Sequence, residues 1–208
     1  MKKLVVLSVL IMGAALLVPR PLAADFGIKG GLNLSWYAVT AEPGFEWTSH
    51  NLTGFTVGAF YTFSLGPKFA IQPEVYYATY GEKESDPGDS FIYYKEQLNY
   101  IHVPILFKFK LGEGGFTPLL FAGPYLSFLM SATGTDYEFE ESFDVKPFHK
   151  STVYGLTFGL GLEKKLEKVL LVLDVRYNMD LVRNDIADVE EPWSSKTRVW
   201  TFMVGIGF

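Results

Sequence analysis

Charged and amide side chains interrupt several apolar segments of this chain at alternate positions, where they could form ion pairs, relay protons or bind a small polar ligand. Asp174 and Arg176 alternate with Leu173, Val175 and Tyr177, so the two charged residues share one face of their segment. Because an unpaired buried charge is costly, such groups are expected to neutralise one another. By the same alternation, seven polar or charged residues are expected to point into the interior of the folded protein. They are Lys29, Gln72, Glu74, His102, Lys108, Asp174 and Arg176.

The charged members of this set, apart from His102, lie near the same end of their segments, so we expect them to form one layer. Glu74 and Lys108 are predicted to pair directly because they lie on neighbouring segments. A structural plug of paired charges is the interpretation that we favour, and a proton or ion relay and a small-ligand site remain open. An interior filled in this way also predicts that the protein is not a passive pore.

Serine, histidine and acidic residues also occur together, as in enzymes of acyl transfer. Ser49 precedes His50, and Ser151 closely follows His149, with several acidic residues nearby. In a catalytic set the histidine takes the serine proton, and the acid orients the imidazole ring. No spacing in the sequence singles out a nucleophile, so we predict no catalytic residue and keep a lipid-modifying membrane-barrel enzyme as an alternative.

The composition argues against several other kinds of site. The chain has no Cys and 3 scattered His residues, so neither a disulfide nor a transition-metal site is predicted. Acidic residues cluster between positions 136 and 144 without the ordered spacing of a calcium loop, and we expect solvated charge there. The net charge of −5 argues against nucleic acid as a partner. We therefore predict no cofactor and no metal.

Strands are the elements that must position these residues, because large apolar residues recur at every second position in most segments of the chain. Between residues 154 and 162, for example, the even positions are large and apolar, while Gly and Thr fill the odd positions up to 161. The fifth predicted strand is apolar at both parities, so its register is left open. The eight predicted strands are residues 26–38, 52–65, 68–81, 94–111, 116–131, 150–164, 169–182 and 196–208.

The connections between these strands alternate between tight turns and long polar loops. The long loops, at residues 39–51, 82–93, 132–149 and 183–195, carry a summed charge of −12. Short turns at one end and long loops at the other are typical of membrane barrels. We therefore predict an all-β fold, an eight-stranded antiparallel up-and-down transmembrane β-barrel. A soluble lipocalin-like barrel is the alternative, and it would require a polar exterior.

The amino-terminal segment has the layout of a secretory signal peptide. Lys2 and Lys3 precede an apolar run at residues 4–18, and small residues stand before Asp25. We expect residues 1–24 to be a cleaved signal peptide and residues 25–208 to form the barrel domain. Cleavage would leave 15 basic and 23 acidic residues, so the mature protein is expected to be acidic.

The last predicted strand alternates large apolar residues with small or polar ones, and an aromatic residue is its final member. This pattern resembles the signal that bacterial barrel-assembly machinery recognises, so we expect that machinery to be a partner during insertion. The residues of this predicted insertion signal are Trp200, Phe202, Val204, Ile206 and Phe208.

Five segments carry a family resemblance: FGIKGGLNLS at 26–35, QPEVYY at 72–77, YIHVPILFK at 100–108, FAGPY at 121–125 and DVRY at 174–177. Together they resemble the PorT-like outer-membrane β-barrel domain family, which shares its architecture with eight-stranded barrels of the OmpX and OmpA type. The resemblance implies that fold and a location in the outer membrane of a diderm bacterium. It implies no particular activity.

The leading hypothesis for function is a non-enzymatic integral outer-membrane protein with a structural or surface-interaction role. Its long acidic loops would face outward and contact outer-membrane lipid, lipopolysaccharide or a protein partner that the sequence does not identify. A barrel that binds a small molecule or a lipid is the alternative.

Overall fold

The computed structural model describes residues 24–41, 48–85, 88, 91–112, 114–185 and 193–208, so the predicted signal peptide lies outside the described residues apart from Ala24. A short 3-10 turn, η1, covers Lys146–Phe148. No helix within the described ranges is long and apolar enough to cross a membrane. The strands are β1 Ala24–Ala41, β2 Thr48–Ser64, β3 Phe69–Ser85, β4 Ile92–Lys110, β5 Thr117–Asp136, β6 Glu141–Asp144, β7 Thr152–Lys165, β8 Leu170–Asp180 and β9 Trp193–Gly207.

Eight of these strands form a closed antiparallel ring, and the predicted eight-stranded barrel is confirmed. Strands that follow one another pair from β1 to β5, β5 then pairs with β7, and β9 returns to β1. At the seam, Phe26 and Phe208 exchange backbone hydrogen bonds of 3.3 and 2.7 Å. The short strand β6 pairs with the carboxyl-terminal end of β5, at the long-loop end of the barrel, and is not part of the ring.

Large apolar side chains cover the outside of the ring. On β8, Leu173 is 52% exposed and Val175 is 39% exposed, whereas Asp174 between them is 3% exposed. A polar interior and an apolar exterior are the faces of a transmembrane barrel. The lipocalin alternative required the opposite arrangement and is wrong.

A β-bulge sets the register of β5, which the sequence left open. Tyr100 pairs with Leu129 and Asn99 pairs with Ser131, so Met130 is the extra residue. Before the bulge the odd-numbered side chains point inward, and beyond it the even-numbered ones do. Both parities of this strand are apolar in part because each faces the interior over some of its length.

Residues 132–149, predicted to be one long loop, are partly regular. β5 continues to Asp136 because β4 offers it free backbone groups as far as Tyr94, and the chain then turns back as β6. The Asp136 carboxylate holds the turn by accepting the N–H groups of Glu138 and Phe139 at 2.9 and 3.1 Å. A sheet of β2 to β6 therefore projects beyond the barrel.

Glycines on β7 make room for aromatic rings inside the barrel. A Cβ on Gly159 would lie 2.3 Å from Phe121, and one on Gly155 would lie 2.3 Å from the Tyr125 hydroxyl. Each ring of β5 thus lies over a glycine of the neighbouring strand. The space next to these inward-facing glycines is therefore occupied by aromatic rings and does not form an open channel.

Candidate functional site in the barrel interior

Four charged side chains meet inside the barrel, in the half nearer the short turns. Lys29 comes from β1, Glu74 from β3, and Asp174 and Arg176 from β8, and each is at most 3% exposed. The pleat sends alternate side chains of a strand to the same face, which is why each of these points inward.

The four groups neutralise one another through direct contacts. Lys29 Nζ lies 2.5 Å from Asp174 Oδ2 and 3.1 Å from Glu74 Oε1. Arg176 donates to Glu74 Oε2 at 2.6 Å and to Asp174 Oδ2 at 2.7 Å. Each cation therefore contacts both carboxylates, which is the condition under which buried charges are tolerated.

Gln72 joins a second ion pair to the first. Lys108 contacts Glu163, and its ammonium also donates to Gln72 Oε1 at 2.8 Å. Thr62 Oγ1 donates to the same oxygen at 2.7 Å, and Gln72 Nε2 donates to Glu74. The predicted direct pair of Glu74 with Lys108 is therefore wrong, since Gln72 lies between them.

The strand register explains this correction. Lys108 is opposite Ala70, which lies four residues from Glu74 and thus roughly 13 Å away along β3. Glu163, which the sequence analysis did not single out, continues the inward odd positions of β7, and that alternation was the signal for it. We refer below to the charge cluster, whose members are Lys29, Gln72, Glu74, Lys108, Glu163, Asp174 and Arg176.

The charge cluster closes the bore at its level. β3 and β8 lie on opposite sides of the eight-stranded ring, so the contact between Glu74 and Arg176 crosses the barrel. The Arg176 guanidinium also lies 5.1 Å from the centroid of the Phe121 ring and 5.7 Å from that of Tyr76. Side chains fill the interior of a barrel of this size, and here they do so with paired charges.

His102 also points into the barrel, but no hydrogen bond or ion pair among the described residues joins it to the charge cluster. Its Nδ1 atom is 2.8 Å from Ser127 Oγ, and its ring is 4.5 Å from the ring of Tyr125 and 6.0 Å from that of Tyr80. The residue is buried, so this His–Ser contact is closed to a lipid substrate.

The other serine and histidine candidates do not assemble a catalytic set within the described residues. His50 Nε2 contacts Ser85 Oγ at 2.9 Å, while Ser49 donates to a Glu82 carboxylate oxygen at 2.5 Å. His149 contacts an acid, Glu96, and not a serine. No described hydrogen bonds link a serine, a histidine and an acid in the order that a triad requires.

Acidic side chains lie at the long-loop end of the barrel, past the point at which the apolar exterior of β3 ends. Glu82 and Glu96 are registered opposite each other there, and both are buried. Burial raises the pKa of Glu82 to about 8; the hydrogen bond from Ser49 opposes the shift, and the nearby Glu84 and Glu96 carboxylates add to it. Glu82 can therefore hold a proton near neutral pH.

Residues 145–150 fold over this acidic end. His149 Nε2 lies 2.5 Å from Glu96 Oε1. Val145 is buried among apolar side chains inside the barrel, including those of Leu98 and Val153. Lys150 N–H donates to the Asn184 carbonyl at 2.8 Å, which ties this segment to the last long loop. Among the described residues, no group of three or more His, Asp or Glu side chains is placed to hold a metal ion.

Residues 19–183 match the family model for the outer membrane protein beta-barrel domain. The chain belongs to this family. No curated protein sequence matches this outer-membrane β-barrel protein.

Solved structures of bacterial barrels share the fold of this outer-membrane β-barrel protein. Neisserial surface protein A is 16% identical with a TM-score of 0.52, over 89% of this chain and 97% of that one. A major outer membrane protein from Thermus thermophilus is 14% identical with a TM-score of 0.51, over 89% and 98%. OprG from Pseudomonas aeruginosa is 15% identical with a TM-score of 0.50, over 89% and 95%. At these identities the likeness shows the fold alone.

The predicted insertion signal of this outer-membrane β-barrel protein lies on β9 and at the seam of the barrel. Trp200, Phe202, Val204 and Phe208 are exposed on the apolar exterior, and Ile206 is half-buried. The Trp200 ring lies 5.1 Å from the Tyr177 ring, and aromatic residues of this kind mark the interfacial level of a membrane barrel.

Proposed function

We propose that this outer-membrane β-barrel protein is non-enzymatic and has a structural or surface-interaction role through its long acidic loops. The observation that carries the proposal is the projecting β5–β6 hairpin, which combines exposed aromatic rings with carboxylates. The bore below it is filled by the charge cluster, so the barrel serves as a rigid support for this surface.

The hairpin and the turn after it expose large aromatic groups in an aqueous region. Phe139 is 71% exposed and Phe148 is 66% exposed, and Tyr137 and Phe143 are also exposed. Exposed aromatic residues are enriched at contact surfaces, where they bury large areas. The acids between them favour a partner with basic groups; they are Asp136, Glu138, Glu140, Glu141 and Asp144.

The orientation of the barrel is tested by cysteine labelling, which is straightforward because the chain has no native Cys. Ser142→Cys lies on the exposed strand β6, and Lys168→Cys lies in the exposed β7–β8 turn at the other end. A membrane-impermeant maleimide applied to intact cells should label the first variant and not the second. Labelling of the second variant alone would reverse the orientation and refute the proposal.

The surface role is tested by removing the exposed rings without changing charge. Cells that display Phe139→Ser with Phe148→Ser should bind less well than wild type to an immobilised surface of basic, aromatic-rich peptide. Phe158→Ser, on the lipid-facing wall, is the matched control that leaves the hairpin intact. Equal binding by the hairpin variant and wild type would contradict a surface-interaction role for these rings.

The absence of transport is tested in planar bilayers. Because paired charges and rings fill the bore, the purified protein should show no steady ionic conductance. A stable conductance that depends on Glu74 would favour an ion relay instead.

A second candidate, a lipid-binding barrel, is favoured by a groove on the outer wall. The groove has a volume of about 580 Å³ and is apolar, and Gly30 leaves the space that Leu32, Leu173 and Val204 surround. Gly30→Leu would place a large apolar side chain in this groove and reduce its volume. Loss of a co-purifying lipid in native mass spectra of that variant would support a specific lipid site, and an unchanged lipid complement would refute it.

We also propose the finer assignments that the sequence suggested. Residues 1–24 are a cleaved signal peptide, residues 25–208 form the barrel, and the family is PorT-like, with insertion by the barrel-assembly machinery. The intact mass of the outer-membrane form tests the boundary, since cleavage after Ala24 predicts the mass of residues 25–208.

A further inference from the structure

Two lysines face each other across neighbouring strands on the outer face of the projecting sheet. Lys83 of β3 is registered directly opposite Lys95 of β4, and His50 of β2 is opposite Lys83. Residues that pair across strands point to the same face, and all three of these side chains are half-buried. Within the described residues, no carboxylate pairs with either ammonium group.

The two lysines also form the closer of the two kinds of antiparallel pair. The Lys110 N–H donates to the Lys68 carbonyl at 2.8 Å, and the unbroken register from there makes the even-numbered residues of β3 the hydrogen-bonded pairs. Lys83 and Lys95 are therefore a non-hydrogen-bonded pair, with Cα atoms about 4.5 Å apart. Like charges at such a position destabilise a sheet. A bound anion would convert this repulsion into two attractions.

The two faces of the projecting sheet differ in charge. The inner face has Glu82 and Glu96 opposite each other, one residue away from the lysines on each strand. On the outer face the row continues from Lys95 to the hydroxyl groups of Thr135 on β5 and Ser142 on β6. Along this row of described residues, the first carboxylate is that of Asp144, two strands away. In the described part of this row, an anion at the lysine pair would therefore meet hydrogen-bond donors before another negative charge.

The height of the pair above the membrane indicates the source of the anion. The apolar exterior of β3 ends at Tyr77, six residues before Lys83. Six residues of a strand tilted by about 40° rise roughly 15 Å. That level is above the hydrocarbon core, among the phosphorylated sugars of an outer-leaflet glycolipid.

We propose that Lys83 and Lys95 form a phosphate-binding site for the sugar headgroup of an outer-leaflet glycolipid, with His50 and Gln97 at its sides. The inference rests on the proposed orientation, in which the long loops face outward. Two ammonium groups bind a phosphate as point charges, so the contact should weaken as the salt concentration rises.

The test compares ligand binding by wild type and the Lys83→Gln, Lys95→Gln double variant, both refolded in detergent micelles. The control is the Lys68→Gln, Lys165→Gln double variant, which loses the same charge from exposed positions at the other end of the barrel. The ligands are a rough lipopolysaccharide with a phosphorylated core, the same lipopolysaccharide after dephosphorylation, and inorganic pyrophosphate. Native mass spectrometry measures binding, and the thermal unfolding midpoint measures stability.

Wild type and the control should bind the phosphorylated lipopolysaccharide about tenfold more tightly than the Lys83, Lys95 variant, and dephosphorylation should remove the difference. Without ligand, the variant should unfold at the same temperature as wild type or higher, because the repulsion is gone. This second readout separates a binding role from a structural one.

Two results would overturn the site: equal binding of phosphorylated lipopolysaccharide by variant and wild type, or a lower unfolding midpoint of the ligand-free variant. Lysine-dependent binding of pyrophosphate without binding of lipopolysaccharide would support phosphate recognition and refute the lipid as its source. Labelling of Ser142→Cys on intact cells remains informative in every case, so failure of the site is distinguishable from failure of the proposed orientation.

Discussion

Replacement of Glu74 by Gln should lower the free energy of unfolding by about 3–5 kcal/mol, because it breaks the balance of a buried ion-pair network. Glu74 contacts both Lys29, at 3.1 Å, and Arg176, at 2.6 Å. In the variant these two cations would share one carboxylate, that of Asp174. About one unit of positive charge would then be uncompensated in an interior where each of these side chains is at most 3% exposed.

The magnitude follows from the contacts that change. Gln keeps the shape of Glu, so no cavity forms, and its amide oxygen can still accept one hydrogen bond. Two charge-assisted contacts are weakened, each worth about 1.5–3 kcal/mol, and the amide nitrogen is placed beside donors. A loss near 3 kcal/mol is therefore the lower expectation, and incomplete relaxation of Arg176 would increase it.

The assay is urea unfolding of the protein refolded in detergent micelles, with the folded fraction read from the mobility of unboiled samples on a gel. Glu167→Gln, in the exposed β7–β8 turn, removes the same charge outside the barrel and should unfold like wild type. Lys29→Met combined with Glu74→Gln restores neutrality and should recover part of the loss. If Glu74→Gln folds and unfolds within about 1 kcal/mol of wild type, the charge cluster does not stabilise the barrel as reasoned.

Three further changes test other parts of the structure. Because burial raises the pKa of Glu82 from 4.5 to about 8, wild-type stability should fall as pH rises between those values. In urea unfolding, the free energy of unfolding of Glu82→Gln should equal that of wild type at about pH 4 and exceed it by on the order of a few kcal/mol at about pH 9. Parallel pH profiles of the two proteins would contradict this. Gly159→Ala should cost about 1–3 kcal/mol, because the new Cβ would lie 2.3 Å from the Phe121 ring and 2.6 Å from the Val175 carbonyl oxygen. Phe121→Leu should relieve only the part of this cost that comes from the ring, in the same assay. A neutral Gly159→Ala would show that both the ring and the Val175 backbone move aside. Deletion of Phe208, which closes the seam with Phe26, should reduce the fraction of protein folded in outer-membrane preparations, and an unchanged fraction would argue against its role in insertion.

Much of the fold was predictable because alternation is a local property of the chain. The pleat alone places Asp174 and Arg176 inside and Leu173 and Val175 outside, whatever strand lies next to them. Tight turns and long loops then predict the order of hairpins. The inward orientation of His102 followed from the same rule, but its partner, Ser127 on the next strand, did not.

The partners of the inward groups were decided by features that no single segment contains. Strand tilt and register place Lys108 beside Glu163 and Gln72 and not beside Glu74. On β5, the bulge at Met130 changes the inward-pointing residues from odd-numbered to even-numbered ones. Free backbone groups on β4 extend β5, which then turns back as the β5–β6 hairpin.

The sequence by itself therefore determined the strands of an outer-membrane barrel, each with one apolar and one polar face, because the alternation of residues and the loop lengths are local properties of the chain. The tertiary structure alone decided which charges cross the bore and that Lys83 and Lys95 stand opposite each other. The physical reason is that ring closure fixes the stagger of every strand against its neighbours. That stagger, and not the order of residues, sets the distances between their side chains.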